Sequence, residues 1–84
     1  MMVKFDPKLQ ELIDELTMAY HRREEFYERR HAQLRLFAPY TEEEAKEVSE
    51  IKAEVERLEK EVRDMGGKMA VNRAYIQFRN TLDL

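Results

Sequence analysis

Four side chains that can bind a metal ion recur at regular spacing in the first half of the chain. Steps of three, four and three residues place them along one edge of a helix. They form the run His21-x-x-Glu24-x-x-x-Glu28-x-x-His31. Iron, manganese and zinc accept such ligands, but a complete site needs carboxylates from other helices, and surface ion pairs produce the same spacing. A metal-binding helical bundle is therefore the lesser alternative, and we expect a solvated or interfacial edge with no metal and no cofactor.

The same stretch is basic and carries aromatic rings between its cations. Arginine can pair with phosphates, and tyrosine or phenylalanine can stack on unpaired bases. The residues concerned are His21, Arg22, Arg23, Phe26, Tyr27, Arg29, Arg30 and Arg35. However, three glutamates lie in the same block and the chain has a net charge of -3, both of which repel phosphates. A small regulatory protein that uses residues 20–35 is thus the second alternative, and nucleic acid is disfavoured as a partner.

Two arginines one heptad apart, Arg23 and Arg30, fall within the apolar line of the first predicted helix. One interpretation lets their stems cover apolar surface while the guanidinium groups reach water. The other pairs them with glutamates across a hairpin, because folding at residues 39–40 would set Arg30 opposite about residue 50 and Arg23 opposite about residue 57. The acidic residues in that stretch are Glu50, Glu54 and Glu56. Such pairs would penalise wrong registers more than they would add stability.

The sequence lacks the nucleophile and base patterns typical of an enzyme. The chain has no cysteine, and its single serine, Ser49, lies inside an acidic stretch. The pair Gly66-Gly67 lacks the flanking spacing of a phosphate-binding loop. We therefore predict a protein without catalytic residues, cofactor-binding residues or a small-molecule substrate.

Composition and periodicity predict a single all-α domain over residues 1–84. Of the 84 residues, 39% are charged and 43% hydrophobic, and two glycines with two prolines are too few turn residues for a β-sandwich or barrel. The first helix is predicted over 7–38, capped by Asp6 before Pro7 and ended by Pro39. Its apolar stripe is Leu9, Leu12, Ile13, Leu16, Tyr20, Tyr27, Leu34 and Phe37.

A second helix is predicted over 42–65, where Thr41 and Glu44 form a capping box. Apolar residues then recur in steps of three and four, as in the heptad seam of a coiled coil. The seam is Val48, Ile51, Val55, Leu58, Val62, Met65 and Met69, flanked by Glu47, Glu54 and Glu61 one heptad apart. Two adjacent glycines at 66–67 then interrupt the helix. We expect either a third helix over 68–82 or a kinked extension.

The charges are divided between the predicted helices. Residues 20–40 carry five arginines and three glutamates, whereas residues 41–64 carry ten acidic and five basic side chains. Opposite charges on two antiparallel neighbours would hold their register. The sequence therefore predicts an antiparallel, coiled-coil-like helical hairpin that assembles into a helical bundle.

A hairpin of thin helices leaves apolar side chains uncovered. We therefore expect a homodimer or higher homo-oligomer, with a protein partner as a further option. The expected interface residues are Tyr20, Arg23, Phe26, Tyr27, Arg30, Tyr75 and Phe78. The leading functional hypothesis is a non-catalytic helical assembly or interaction protein. Because the sequence has no apolar run of membrane-spanning length and residues 1–6 lack the pattern of a signal peptide, we expect a cytoplasmic protein that does not bind membranes.

Overall fold

The computed structural model describes residues 6–32 and 38–82, and within them the protein is all-α. Helix α1 spans Pro7–Ala32 and helix α2 spans Glu42–Leu82. Over the described residues, neither helix contains an apolar stretch of the length that crossing a bilayer requires.

Helix α1 begins where the sequence predicts and ends earlier. The Asp6 carboxylate accepts a hydrogen bond of 2.8 Å from the Lys8 backbone N–H and so caps the first turn. Ala38 is not helical, so the predicted helix over 7–38 is too long. Pro39 disfavours a helical conformation in the residue before it, which accounts for Ala38. Outside the described part of the chain lie residues 33–37, among them Leu34, Arg35 and Phe37.

The predicted capping box at the start of α2 is confirmed. The Glu44 backbone N–H donates to Thr41 Oγ1 over 3.1 Å, and the Thr41 backbone N–H donates to Glu44 Oε1 over 3.0 Å. Glu42, Glu43 and Glu44 fill the first turn, where negative charge interacts favourably with the helix dipole. The box leaves the other carboxylate oxygen of Glu44 to bond Arg30 of α1.

Helix α1 and the first part of α2 pack antiparallel, as predicted. Arg29 pairs with Glu47 and Arg22 pairs with Glu54, so the contacts move towards the start of α1 as α2 proceeds. The core between the two helices includes Leu9, Ile13, Leu16, Val55, Leu58 and Val62. The helical hairpin is therefore confirmed.

One position of the predicted apolar stripe of α1 is wrong. Phe26 is buried, whereas its neighbour Tyr27, assigned to the stripe, is 38% exposed. The Phe26 ring lies 5.7 Å from the ring of Tyr40, between the helices. A residue of the interhelical connection thus covers Phe26, and helical periodicity alone does not reveal such a cover.

Gly67 interrupts α2. Its φ of 71° and ψ of -168° lie in a region that only glycine adopts readily. The heptad seam therefore stops before it, and the prediction that Met65 and Met69 continue the seam is wrong because both are exposed. In the described residues there is no separate third helix, since the residues predicted to form one belong to α2. We call residues 42–66 the N-terminal arm of α2 and residues 68–82 its C-terminal arm.

The C-terminal arm runs back along α1. Gln77 Nε2 donates to Thr17 Oγ1 over 3.1 Å, and Thr81 Oγ1 lies 2.6 Å from His21 Nε2. The contacts of this arm therefore advance in the same direction as α1, whereas those of the N-terminal arm advance against it. The bend at Gly67 thus reverses the course of the chain relative to α1.

Small residues let the C-terminal arm approach α1 closely. Ala70 and Ala74 are fully buried and share one core cluster with Phe78. A Cβ added to Gly66 would lie 2.7 Å from Leu9 Cδ2 and 2.6 Å from Ala70 Cβ. Glycine is therefore required at position 66 by space. Helix α1 packs against both arms of α2, and all three helical segments share one core.

Candidate interaction surface

The seven residues predicted to form an interface fall into two aromatic clusters. In the first cluster, the ring centroids of Tyr20, Tyr75 and Phe78 lie between 5.7 and 6.2 Å apart. The Arg23 guanidinium lies 5.0 Å from the centroid of the Tyr20 ring, in the range of a cation–π contact. Tyr20 and Phe78 are buried and Tyr75 is about half exposed. This cluster joins α1 to the C-terminal arm.

The second aromatic cluster lies at the connected end of the hairpin. The Phe26 ring centroid lies 5.6 Å from that of Tyr27, and the Arg30 guanidinium lies 4.4 Å from the Tyr40 ring. Four of the seven predicted interface residues are buried within this one chain, namely Tyr20, Phe26, Arg30 and Phe78. The accessible ones are Arg23, Tyr27 and Tyr75. Contact between any of the seven and a second copy stays a prediction.

Arg30 is a buried cation, with 4% of its surface exposed. Its Nη1 donates to Glu44 Oε2 over 2.7 Å, and its Nη2 donates to the backbone carbonyl of Ala38. Glu44 is itself fixed by its capping box with Thr41. Arg30 therefore ties together the end of α1, the interhelical connection and the first turn of α2.

The two arginines predicted to pair across the hairpin meet other partners. Arg30 pairs with Glu44 because the first turn of α2, and not its third, lies beside the end of α1. The Arg23 guanidinium lies over Tyr20, and the structure gives Arg23 no ion pair within residues 6–32 and 38–82. Pairing with a glutamate across the hairpin is therefore confirmed for Arg30, although its partner is not Glu50, Glu54 or Glu56, and within one copy it is wrong for Arg23. The interpretation that the stem covers apolar surface fits Arg23.

Two other arginines hold the register of the hairpin, and their pairing across it was not predicted. Arg22 pairs with Glu54 and Arg29 pairs with Glu47, so both partners step by one heptad. The signal was present, because the two glutamates recur at the edge of the heptad seam and the two arginines recur at the same interval. Each pair is exposed and contributes at most about 1 kcal/mol. Their main effect is on the relative alignment of the two helices.

Burial of the Tyr20 ring, followed by the negative charge of Glu59, raises the pKa of the Tyr20 phenol from 10.0 to about 12. The hydroxyl also donates a hydrogen bond to Glu59, which favours the neutral phenol, while Arg23 and Arg63 act in the opposite direction. Tyr20 thus contacts the N-terminal arm through Glu59 and the C-terminal arm through Tyr75.

The histidine and glutamate edge of α1 does not converge on a metal site. His21 Nε2 lies 2.6 Å from Thr81 Oγ1, and its ring packs against Phe78 with centroids 5.0 Å apart. Within the described ranges, no three histidine, cysteine, aspartate or glutamate side chains are grouped closely enough to hold a metal ion.

An open groove of about 820 Å³ lies between residues 22–32 of α1 and residues 47–54 of α2. Its lining includes five glutamates and two arginines, a net charge of -3, together with the apolar side chains of Ala32 and Ile51. Both arginines are held in the two exposed ion pairs. Three of the glutamates, Glu25, Glu28 and Glu50, have no partner within the described part of the chain. We call this feature the acidic groove.

The outward side of the C-terminal arm is basic, whereas the acidic groove is negatively charged. The arm contains three basic residues and no acidic residue. Five of its side chains share one face about 100° wide, because a helix turns by about 100° per residue. They are Lys68, Met69, Asn72, Ile76 and Arg79, and we call them the outer face. Met69 is 74% exposed and Ile76 is 56% exposed, so one edge of this face presents apolar surface to water.

No protein-family model, curated protein or solved structure matches the chain. The fold defines the class of protein, an all-α helical hairpin with a bend at Gly67 in its second helix. The surfaces of this fold that bear on function are the acidic groove, the outer face and the two aromatic clusters.

Proposed function

We propose that this protein is a non-catalytic helical assembly and interaction protein that associates with copies of itself through the outer face. The observation that carries the proposal is the exposure of Met69 and Ile76 on an arm without carboxylates. The two residues lie seven positions apart and therefore on the same side of the helix. Lys68, Asn72 and Arg79 lie beside them on one side of the helix, and polar side chains border the apolar part of many protein–protein interfaces.

The energetics favour covering this surface. Full burial of one methionine or isoleucine side chain contributes about 1.5–3 kcal/mol relative to exposure in water. Methionine also adapts its shape to an opposing surface because its side chain is unbranched and flexible. Tyr75 lies on the neighbouring edge of the same arm and would extend the covered area. A second copy of the chain is the partner that is always available at matching concentration.

Catalysis has little physical basis on these surfaces. The acidic side chains lie on helix faces open to solvent, and the groove that they line between the described parts of the two helices is open and not enclosed. We therefore propose no enzymatic role and no small-molecule substrate. The cytoplasmic location stays a prediction from the sequence.

The nucleic-acid alternative loses much of its support. Arg22, Arg29 and Arg30 are already paired with glutamates of α2. A phosphate would have to compete with those carboxylates, and the nearby unpaired glutamates would repel it. The remaining arginine of the described basic block, Arg23, lies over the Tyr20 ring. We therefore rank nucleic-acid binding below self-association.

Size-exclusion chromatography with light scattering over a range of micromolar concentrations tests the proposal. For the unmodified chain, we expect a mass that rises with concentration above the 10.2 kDa of one chain. The double variant Met69→Glu with Ile76→Glu should weaken association about a hundredfold or more, because it removes the burial of two apolar side chains. Met65→Glu is the matched control, since Met65 is also exposed but lies on the N-terminal arm.

Two results would contradict the proposal. One is an unmodified chain that stays at the mass of a single copy up to the highest concentration measured. The other is a double variant that associates as strongly as the Met65→Glu control. Circular dichroism of all three proteins must show the same helix content for the comparison to count.

A further inference from the structure

The outer face and the acidic groove are complementary in charge and in chemistry. The C-terminal arm carries a net charge of +3, and the groove lining carries -3. Lys68 and Arg79 of the outer face have no ion-pair partner within the described part of the chain, and neither do the free glutamates of the groove. Each surface also holds a pair of apolar side chains.

The two surfaces of one molecule cannot meet each other. The C-terminal arm packs along α1 through contacts that reach only as far as His21. The groove is lined by residues 22–32 of the same helix and by the opposite arm of α2. The outer face also points away from α1, because the buried residues Ala70, Ala74 and Phe78 occupy the inner side of the arm.

We infer that the outer face of one copy docks into the acidic groove of a second copy. This inference rests on the self-association proposed above and names the surface that the outer face meets. Lys68 and Arg79 would then pair with the free glutamates Glu25 and Glu50, and Met69 and Ile76 would pack on the apolar lining of the groove.

The dimensions of the two surfaces match. Lys68 and Arg79 are eleven residues apart, which is about 16 Å along a helix. The part of α1 that lines the groove, residues 22–32, is about 15 Å long. One helical arm laid along the groove would therefore overlap its full length, and Lys68 and Arg79 would reach inward along it to Glu25 and Glu50, which lie near its middle between the pairs Arg22–Glu54 and Arg29–Glu47.

Docking of this kind joins two different surfaces, so a docked pair of copies keeps one free outer face and one free groove. Such head-to-tail contacts produce rings when the rotation closes and open chains when it does not. Because the contact depends on charge, the apparent mass should fall at high salt, where exposed charges are screened over about 3 Å.

Reversal of charge on each surface in turn tests the pairing. The groove variant carries Glu25→Lys with Glu50→Lys, and the arm variant carries Lys68→Glu with Arg79→Glu. Each variant alone should associate about tenfold or more weakly than the unmodified chain, because like charges then face each other. An equimolar mixture should regain a higher mass than either variant alone, since each supplies the surface that the other lacks. Lys52→Glu with Lys60→Glu is the control, because it changes the net charge as the arm variant does but alters exposed positions of the N-terminal arm.

The outcomes separate this inference from the proposed function. Recovery of mass in the mixture supports head-to-tail docking, and it also shows that both variants are folded. A groove variant that associates as strongly as the unmodified chain overturns the docking but leaves self-association intact, since outer faces would then meet each other. A mixture that stays as weak as its components, with unchanged helix content in both, also overturns the docking. If the unmodified chain itself stays a single copy, the proposed function fails.

Discussion

Arg30 illustrates how a charged residue is accommodated on the apolar side of a helix. Its guanidinium is almost fully buried, yet both terminal nitrogens have a partner, since Nη1 donates to Glu44 Oε2 and Nη2 donates to the Ala38 carbonyl. The ring of Tyr40 covers its flat face at 4.4 Å. A buried cation costs little only when its hydrogen bonds and its counter-charge are both in place. Arg30 therefore stabilises the connected end of the hairpin through its hydrogen bonds as well as through its charge.

Replacement of Arg30 by methionine should lower the free energy of unfolding by about 2–3 kcal/mol. The change removes the side-chain donor to the Ala38 carbonyl and the cation that pairs with Glu44 Oε2. Arg29→Met should cost less than about 1 kcal/mol, because Arg29 is largely exposed in its own ion pair. Urea unfolding followed by circular dichroism measures both values.

The order of these two effects is the decisive comparison. Equal losses for Arg30→Met and Arg29→Met would show that burial of the Arg30 pair adds nothing. Arg30→Lys is a further control, because a lysine keeps the charge but cannot bond the carboxylate and the carbonyl with one planar fork.

The second helix depends on two adjacent glycines that serve different purposes. Gly66 has no room for a side chain because Leu9 and Ala70 press against it. Gly67 has open space around its missing Cβ, and only its backbone angles call for glycine. The pair therefore combines a close helix contact with a reversal of chain direction. In the sequence, the dipeptide Gly66-Gly67 marks both the close contact and the reversal.

Gly67→Ala should destabilise the protein by about 1–3 kcal/mol, because an L-residue is strained at a φ of 71° and a ψ of -168°. D-alanine at the same position, introduced by chemical synthesis, should leave stability unchanged or raise it by up to about 1 kcal/mol. The mirror-image angles suit a D-residue, whereas the methyl group of L-alanine would meet no atom within 4 Å, so backbone strain and not crowding accounts for the cost of the L-residue. Thermal unfolding of the two synthetic chains distinguishes them, and equal destabilisation by both would rule out backbone strain as the cause.

The elements were predictable to the extent that local rules determine them. The N-cap at Asp6 and the capping box of Thr41 with Glu44 depend on neighbours in sequence, and both are confirmed. Phe26 was left off the apolar stripe, and Arg30 was given the wrong partner, because the residues that they contact, Tyr40 and Glu44, come from the connection and the next helix. Such contacts depend on where a hairpin turns, which helical periodicity does not specify.

The whole molecule is organised around α1, which packs against both arms of α2. The core cluster draws residues from all three helical segments, among them Ile13, Leu58 and Ala74. The reversal at Gly67 was left open between a turn and a kink in the sequence, because two glycines indicate a break but not its direction. The outer face could not be recognised either, since a face is exposed only relative to what the rest of the chain covers.

The distribution of charge, like the exposure of a face, becomes clear only in the folded molecule. The net charge of -3 conceals a basic segment and an acidic segment that meet, within the described residues, in three ion pairs across the hairpin. In that part of the chain Glu25, Glu28 and Glu50 of the groove and Lys68 and Arg79 of the C-terminal arm have no ion-pair partner. The folded molecule therefore carries negative charge on one surface and positive charge on another. Such a distribution favours association between copies, whereas a surface of one sign would make copies repel each other.

Tyr20, where α1 meets both arms, should make the stability of the whole molecule fall as pH rises from 10 to 12. The folded protein holds the Tyr20 proton up to a pKa of about 12, whereas the unfolded chain releases it near 10.0. Between these values the folded state binds more protons, so alkali favours unfolding. The contribution of Tyr20 is on the order of 1 kcal/mol, because the hydroxyl lies beside charged side chains at the edge of the core.

Urea unfolding at about pH 9 and about pH 11 should show a larger loss of stability for the unmodified chain than for Tyr20→Phe, which keeps the ring and has no proton to lose. Tyr27→Phe, which changes an exposed tyrosine, should behave as the unmodified chain does, and a parallel decline in all three proteins would refute a role for Tyr20.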